Sequence, residues 1–153
     1  TVSGVLFNCG MSNFSRTRPV NVVEPGKRPR TSICPTIVLR DGELFLVVGT
    51  PGASRIISTV VEMLVNLIDF DMDIAEANNA PRFYTSKYED YLHVEGGIPE
   101  EVRKKLERMG HPLKVHGGID LFFGGAHLIR INQNAGTACG SADPRRSGLA
   151  ISN

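Results

Sequence analysis

Apolar positions recur with two different spacings along the chain, and the spacing assigns the elements. Residues 36–40 and 43–48 are short runs rich in Val, Ile and Leu, separated by Asp41-Gly42. Such runs around an Asp-Gly pair predict a hairpin with a tight two-residue turn. Residues 56–68 carry apolar side chains on nearly every face, which predicts a buried helix. Asp69, Asp71 and Asp73 interrupt that pattern, and a second short helix over 74–80 is stopped by Pro81. Residues 82–85 and 91–95 are predicted strands flanking a polar loop. Residues 99–109 form an amphipathic helix, with Pro99 at its first turn, Glu100 and Glu101 following, and Gly110 as its stop. Strands are predicted over 113–115, over 119–123 between two glycine pairs, over 126–132, and over 137–141 after a turn at 134–136. Residues 1–35 are broken by Gly, Pro and Arg; they hold a short strand at 5–7 and an extended loop over 16–30. This order predicts an α+β fold, an antiparallel sheet covered by helices, and argues against a parallel doubly wound sheet.

Bulk properties change this picture little. A chain of 153 residues fits one domain, 1–153, with a real core. The net charge of +1 gives no reason to expect nucleic acid or a membrane surface as partner. Basic residues cluster at Lys27, Arg28 and Arg30 and again at Arg145 and Arg146. Both groups sit beside Pro or Gly and are expected in solvated loops. The three cysteines, Cys9, Cys34 and Cys139, form no CxxC pair, so free and mostly buried thiols are expected rather than a zinc site. No apolar run approaches a membrane span, and no signal peptide is visible at Thr1-Val2-Ser3-Gly4.

Candidate chemistry concentrates at Gly49-Thr50-Pro51-Gly52-Ala53-Ser54-Arg55, between a predicted strand and the longest predicted helix. The first N–H groups of a helix lack intrahelical partners, and with the helix dipole they suit a carboxylate, a phosphate or a developing oxyanion. The alternative is a glycine turn that binds nothing. Thr31-Ser32, between a basic proline-rich loop and a strand, offers hydroxyls that either cap backbone groups or hold a carboxylate. Thr1 has the form of an N-terminal nucleophile with its own α-amine as base, or is simply where this sequence begins. The four histidines have no metal-ligand spacing, and the three aspartates lack the rest of a calcium loop. No metal or cofactor is expected.

Several collinear segments together resemble the gamma-glutamyltransferases. They are Gly4-Val5-Leu6-Phe7-Asn8 with Met11 and Phe14; Glu24-Pro25-Gly26-Lys27-Arg28-Pro29; Thr31 to Val38; Gly49 to Arg55; Asn79-Ala80-Pro81-Arg82; and Ala142-Asp143-Pro144-Arg145-Arg146. The resemblance implies an αββα sandwich of the N-terminal-nucleophile hydrolase type, this chain supplying the later part of a small subunit. It implies autoprocessing, a large-subunit partner, and a gamma-glutamyl or related acyl amide as substrate. By resemblance the compartment is periplasmic or extracellular, with the cytoplasm left open. The family's oxyanion-hole glycines fall on Gly52 and Ala53, and its carboxylate-binding serine pair falls on Thr31 and Ser32, with Asn13 nearby.

Three departures accompany the likeness. The family's acids for the substrate ammonium fall on Gly10 and Asn13, which carry no charge. Each lost charge-assisted hydrogen bond costs about 1.5–3 kcal/mol. The loop between Phe14 and Glu24 is shorter than the family's lid-bearing segment. The strand headed by the nucleophilic threonine is missing, and Thr1 stands too close to Gly4 to be that residue. The chain alone is therefore expected to be inactive. A related acylase and a non-catalytic homologue are the alternatives.

Overall fold

A computed structural model describes residues 4–5 and 8–151, so Thr1 and most of the predicted strand at 5–7 lie outside the described residues. The chain divides into two compact units, Thr1–Ser32 and Ile33–Asn153.

The first unit contains two 3₁₀ turns, Gly10–Asn13 and Pro19–Asn21. Its prolines and glycines leave few consecutive N–H groups for a ladder, and side chains organise the backbone instead. Asn21 donates to the Asn13 carbonyl at 2.8 Å and accepts from the Arg30 N–H at 2.9 Å.

Among its described residues the second unit holds seven strands and three helices. They are β1 Thr36–Arg40, β2 Glu43–Gly49, α1 Ile56–Ile68, α2 Ile74–Asn79, β3 Phe83–Thr85, β4 Leu92–Val94, α3 Glu100–Arg108, β5 Leu113–Val115, β6 His127–Asn132 and β7 Thr137–Ala142. The hairpin is present, and both turn residues have positive φ, 54° at Asp41 and 85° at Gly42, as its twist requires. One four-stranded antiparallel sheet runs β1-β2-β6-β7. A second sheet runs β3-β4-β5, and there β4 and β5 are parallel, joined through α3. The antiparallel expectation therefore fails for this pair. Pro99 and Gly110 insert a helix between two short strands, and a helical crossover returns the chain in the same direction.

Residues 119–123 are not a strand. Asp120 caps the Phe122 N–H at 2.8 Å and turns Leu121–Phe123 into a 3₁₀ turn. Asp73, one of the three alternating aspartates, caps α2 by accepting from Ala75 and Glu76, while the Glu76 carboxylate accepts from the Asp73 N–H.

Leu46 and Val48 of β2 and Leu128 of β6 share a buried cluster with Val60, Met63 and Leu67 of α1 and Ile74 and Ala77 of α2. Helix α1 is thus buried along one face, whereas Ile57, Val61 and Ile68 are exposed. Periodicity alone had suggested burial all round. No described helix is long and apolar enough to cross a membrane. The cysteines are free, but Cys9 and Cys139 are exposed and only Cys34 is partly covered. The expected burial fails because β7 is an edge strand and Cys9 lies in the loop-rich unit.

Candidate active site

Strand β2 ends at Gly49, and the chain reaches α1 through a 3₁₀ turn at Ala53–Arg55. Gly52 has φ 146° and Ala53 has φ 52°. The first value is open to glycine, and the second is a left-handed conformation that costs an alanine about 1–2 kcal/mol. The turn is closed by the Arg55 N–H donating to the Gly52 carbonyl at 3.0 Å. Among the described residues, neither the Gly52 N–H nor the Ala53 N–H has a hydrogen-bond partner. These two adjacent donors precede a 13-residue helix, whose dipole favours negative charge near its start.

The segment Phe122–Gly125 packs against this turn. The Gly125 N–H donates to the Thr50 hydroxyl at 3.1 Å, and that hydroxyl donates to the Pro51 carbonyl at 2.7 Å. Gly124, with φ 90°, lies so close that a Cβ there would strike the Pro51 carbonyl oxygen. The absence of a side chain at Gly124 is what allows this close backbone approach.

Beneath the turn lies a buried ionic cluster that the sequence reading missed. Arg145, expected in a solvated loop, is 5% exposed, and Arg82, Glu95 and Asp143 are each at or below 1%. Arg82 pairs with Asp143 at 2.5 Å. Arg145 donates through Nε to Glu95 at 2.7 Å, makes a second bond from its Nη2 to the same carboxylate, and reaches Asp143 at 3.3 Å. Neutral groups complete the network. Asn78 Oδ1 accepts from Arg82 at 3.1 Å, and the Asn78 and Ala80 carbonyls accept from Arg145. The Ala126 N–H donates to Asp143 at 2.6 Å. Burial is tolerated because two cations meet two anions and most remaining donors are satisfied. Arg145 departs from expectation because, beside the neighbouring Asp143, its partners are Glu95 just after β4 and the carbonyls at the end of α2, distant in sequence.

Glu62 of α1 stands beside this cluster, its Oε1 buried without a partner, as is Arg82 Nε among the described residues. Burial pushes the Glu62 carboxyl up to about 8, although Arg82 and the Phe83 N–H pull the other way. A neutral Glu62 leaves the four-charge cluster balanced. The only sequence signal was an acid inside an otherwise uncharged helix.

Thr31, Ser32 and Asn13 belong to the Thr1–Ser32 unit, with Thr31 and Asn13 exposed and Ser32 half-buried. The Gly10 N–H donates to Asn8 Oδ1 at 2.8 Å. Two histidines that sequence spacing kept apart do meet: His93 Nδ1 lies 2.9 Å from His116 Nε2, and His93 Nε2 lies 2.8 Å from Glu89. Among the described residues no group of three metal-ligating side chains converges.

The family model for gamma-glutamyltranspeptidase matches residues 1–152. The chain belongs to that family. It is 40% identical to the glutathione hydrolase proenzyme of Escherichia coli (strain K12) over 154 residues, covering 94% of this chain and 26% of that protein. It is 34% identical to the acylase ACY 1 proenzyme of Pseudomonas sp. (strain SE83), covering 97% of this chain and 26% of the relative. A crystal structure of a Helicobacter pylori gamma-glutamyltranspeptidase mutant superposes with a TM-score of 0.82 at 37% identity, covering 94% of this chain and 83% of that one. The chain thus has the α+β fold of the N-terminal-nucleophile hydrolase sandwich, part of which it supplies. It spans about a quarter of the length of the curated relatives it matches.

Proposed function

We propose that this chain is the later part of the small subunit of an enzyme that hydrolyses or transfers a gamma-glutamyl group. In this reading a threonine elsewhere in the precursor attacks the amide carbonyl. The acyl-enzyme then passes its acyl group to water or to an amine. Gly52 and Ala53 supply the oxyanion hole, and Thr31, Ser32 and Asn13 bind the acyl group. A large subunit from the same precursor completes the protein. The observation that carries the reading is the pair of adjacent, unpartnered N–H groups at Gly52 and Ala53, in the turn where the family places its oxyanion hole.

Each part of the turn has a role in that chemistry. The tetrahedral intermediate gathers charge on the former carbonyl oxygen, and fixed donors stabilise it without reorganising. Replacing the second glycine of the family pattern by Ala53 keeps the N–H. The φ of 52° keeps the left-handed geometry that a glycine would adopt freely. The test is labelling of the complete processed protein with an electrophilic glutamine analogue, followed by peptide mass mapping. A single acyl adduct on an N-terminal threonine is expected; a complete, processed protein that forms none refutes the reading.

A second reading follows from Gly10 and Asn13. Both are neutral where the family carries acids, which removes the ionic partners of a substrate ammonium. Under this reading the enzyme is an acylase for a dicarboxylic or other acyl amide; the Pseudomonas relative is itself named an acylase. Turnover of gamma-glutamyl anilide against glutaryl anilide separates the two. Preference for the glutaryl compound selects the acylase.

A further inference from the structure

The free N–H groups at Gly52 and Ala53 are useful only if the turn holds its shape, and little within the turn itself fixes it. Two backbone hydrogen bonds close it, from the Arg55 N–H to the Gly52 carbonyl and from the Ile56 N–H to the Ala53 carbonyl, and Ala53 sits in a conformation it does not favour. The other restraints come from the segment Phe122–Gly125. The Arg55 guanidinium donates from Nε to the Phe122 carbonyl at 2.9 Å and lies over the Phe122 ring, 4.5 Å from its centroid. One residue further, the Phe123 carbonyl accepts from the Thr59 hydroxyl at 3.1 Å and from Arg82 at 3.3 Å.

The Phe122 ring is itself held from behind. His116 stacks on it at 4.5 Å and His93 at 4.8 Å, while Phe123 and Tyr84 meet it edge-on at 5.0 and 6.0 Å. The histidines are joined to each other and to Glu89 and Asp120, so the platform is tied to β4, to the loop after β5 and to the 3₁₀ turn. A ring fixed between two imidazoles and a guanidinium has few alternative positions. Its carbonyl and its face together fix the direction of Arg55, whose own N–H closes the turn.

We infer that Phe122 and Arg55 are positioning residues for the Gly52–Ala53 turn: the aromatic platform clamps Arg55, and Arg55 sets the aim of the two N–H groups. This rests on the oxyanion-hole reading above. Neither residue contacts the reacting atoms. Their loss misdirects donors that remain present, so the effect falls on the acylation rate more than on substrate affinity.

The test uses the complete processed enzyme with Phe122→Leu, Phe122→Tyr, Arg55→Lys and Arg55→Met. Each variant is assayed on an acyl anilide and on its thiono counterpart, in which sulfur replaces the carbonyl oxygen. Phe122→Leu and both Arg55 variants are expected to lose about tenfold or more in kcat with KM within about threefold, since a lost oxyanion donor costs about 10²–10³ and a misdirected one less. Melting temperature should change little, and Phe122→Tyr should recover most of the rate. The wild-type preference for oxygen over sulfur should shrink in the slow variants, because sulfur accepts poorly from fixed N–H donors.

The outcomes separate the two claims. If the wild-type enzyme shows no preference for the oxygen substrate, the oxyanion-hole reading fails. If it does, but the variants keep its kcat and its preference, the positioning role fails. A fall in kcat that tracks a fall in melting temperature across the variants also overturns the positioning role. Should Phe122→Leu not fold, the Arg55→Lys result decides.

Discussion

Replacing Glu62 by glutamine should remove a pH dependence of stability that the wild-type chain carries. Burial on α1 raises the Glu62 carboxyl from an ordinary 4.5 to about 8, against the pull of Arg82. Below pH 4.5 both folded and unfolded chains hold the proton and the group contributes nothing. Between pH 4.5 and about 8 the unfolded chain releases it and the folded chain keeps it, so stability falls as pH rises. At roughly 1.4 kcal/mol for each tenfold change in proton affinity, the full interval is worth up to about 5 kcal/mol, present in full above pH 8. Arg82 Nε, buried and unpartnered, can turn toward the carboxylate once it ionises and recover part of this. Glutamine mimics the protonated acid at every pH. Glu62→Gln should therefore come within about 1 kcal/mol of wild type at pH 5 and exceed it by about 2–5 kcal/mol at pH 9. The chain has no tryptophan, so urea unfolding at pH 5, 7 and 9 is followed by far-UV circular dichroism. All other groups titrate alike in both proteins, so the difference isolates Glu62. Parallel pH curves for the two would refute the argument.

Asp143→Ala should cost about 3–5 kcal/mol, because it leaves Arg82 buried without its carboxylate counter-ion and the Ala126 N–H without its acceptor. Thermal unfolding should show a fall of roughly 10 °C, with Asp143→Asn losing less. Ala53→Gly should stabilise the turn by about 0.5–1 kcal/mol, the relief of a left-handed alanine less the added chain entropy of glycine. Denaturant midpoints measure this, and the complete enzyme should keep its acylation rate since the N–H is retained. Asp73 has its carboxyl held below the usual 3.8 by the N–H groups of Glu76 and Ala75, so its contribution exists above that value and is lost as pH falls through the lowered one. Asp73→Ala should lower the urea midpoint at pH 7 and show a smaller effect at pH 2.

Much of the fold was legible because its signals are local. The Asp41-Gly42 turn needs two positive-φ residues, and the sequence supplies two that tolerate it. The bounds of α1, Ile56–Ile68, follow from a glycine-containing turn before it and a run of aspartates after it. The candidate turn was legible for the same reason, since mostly small residues lead from β2 into α1, with Gly52 at φ 146°. The outward face of α1 was misjudged, because periodicity counts apolar positions but does not say which of them meet the sheet. The strand predicted at 119–123 gave way to Asp120, whose carboxylate offered the backbone a tighter turn.

The sequence by itself determined the hairpin, the helices and the glycine turn, since each depends on φ preferences and on neighbours within a few residues. Tertiary structure alone decided that Arg82, Glu95, Asp143 and Arg145 share one buried site and that His93, His116, Phe122 and Arg55 form one stack. Charges and rings separated by tens of residues have no local signature of meeting. Whether a charged side chain is solvated or buried depends on which partners folding delivers to it, and for Arg145 those partners are Glu95 and Asp143.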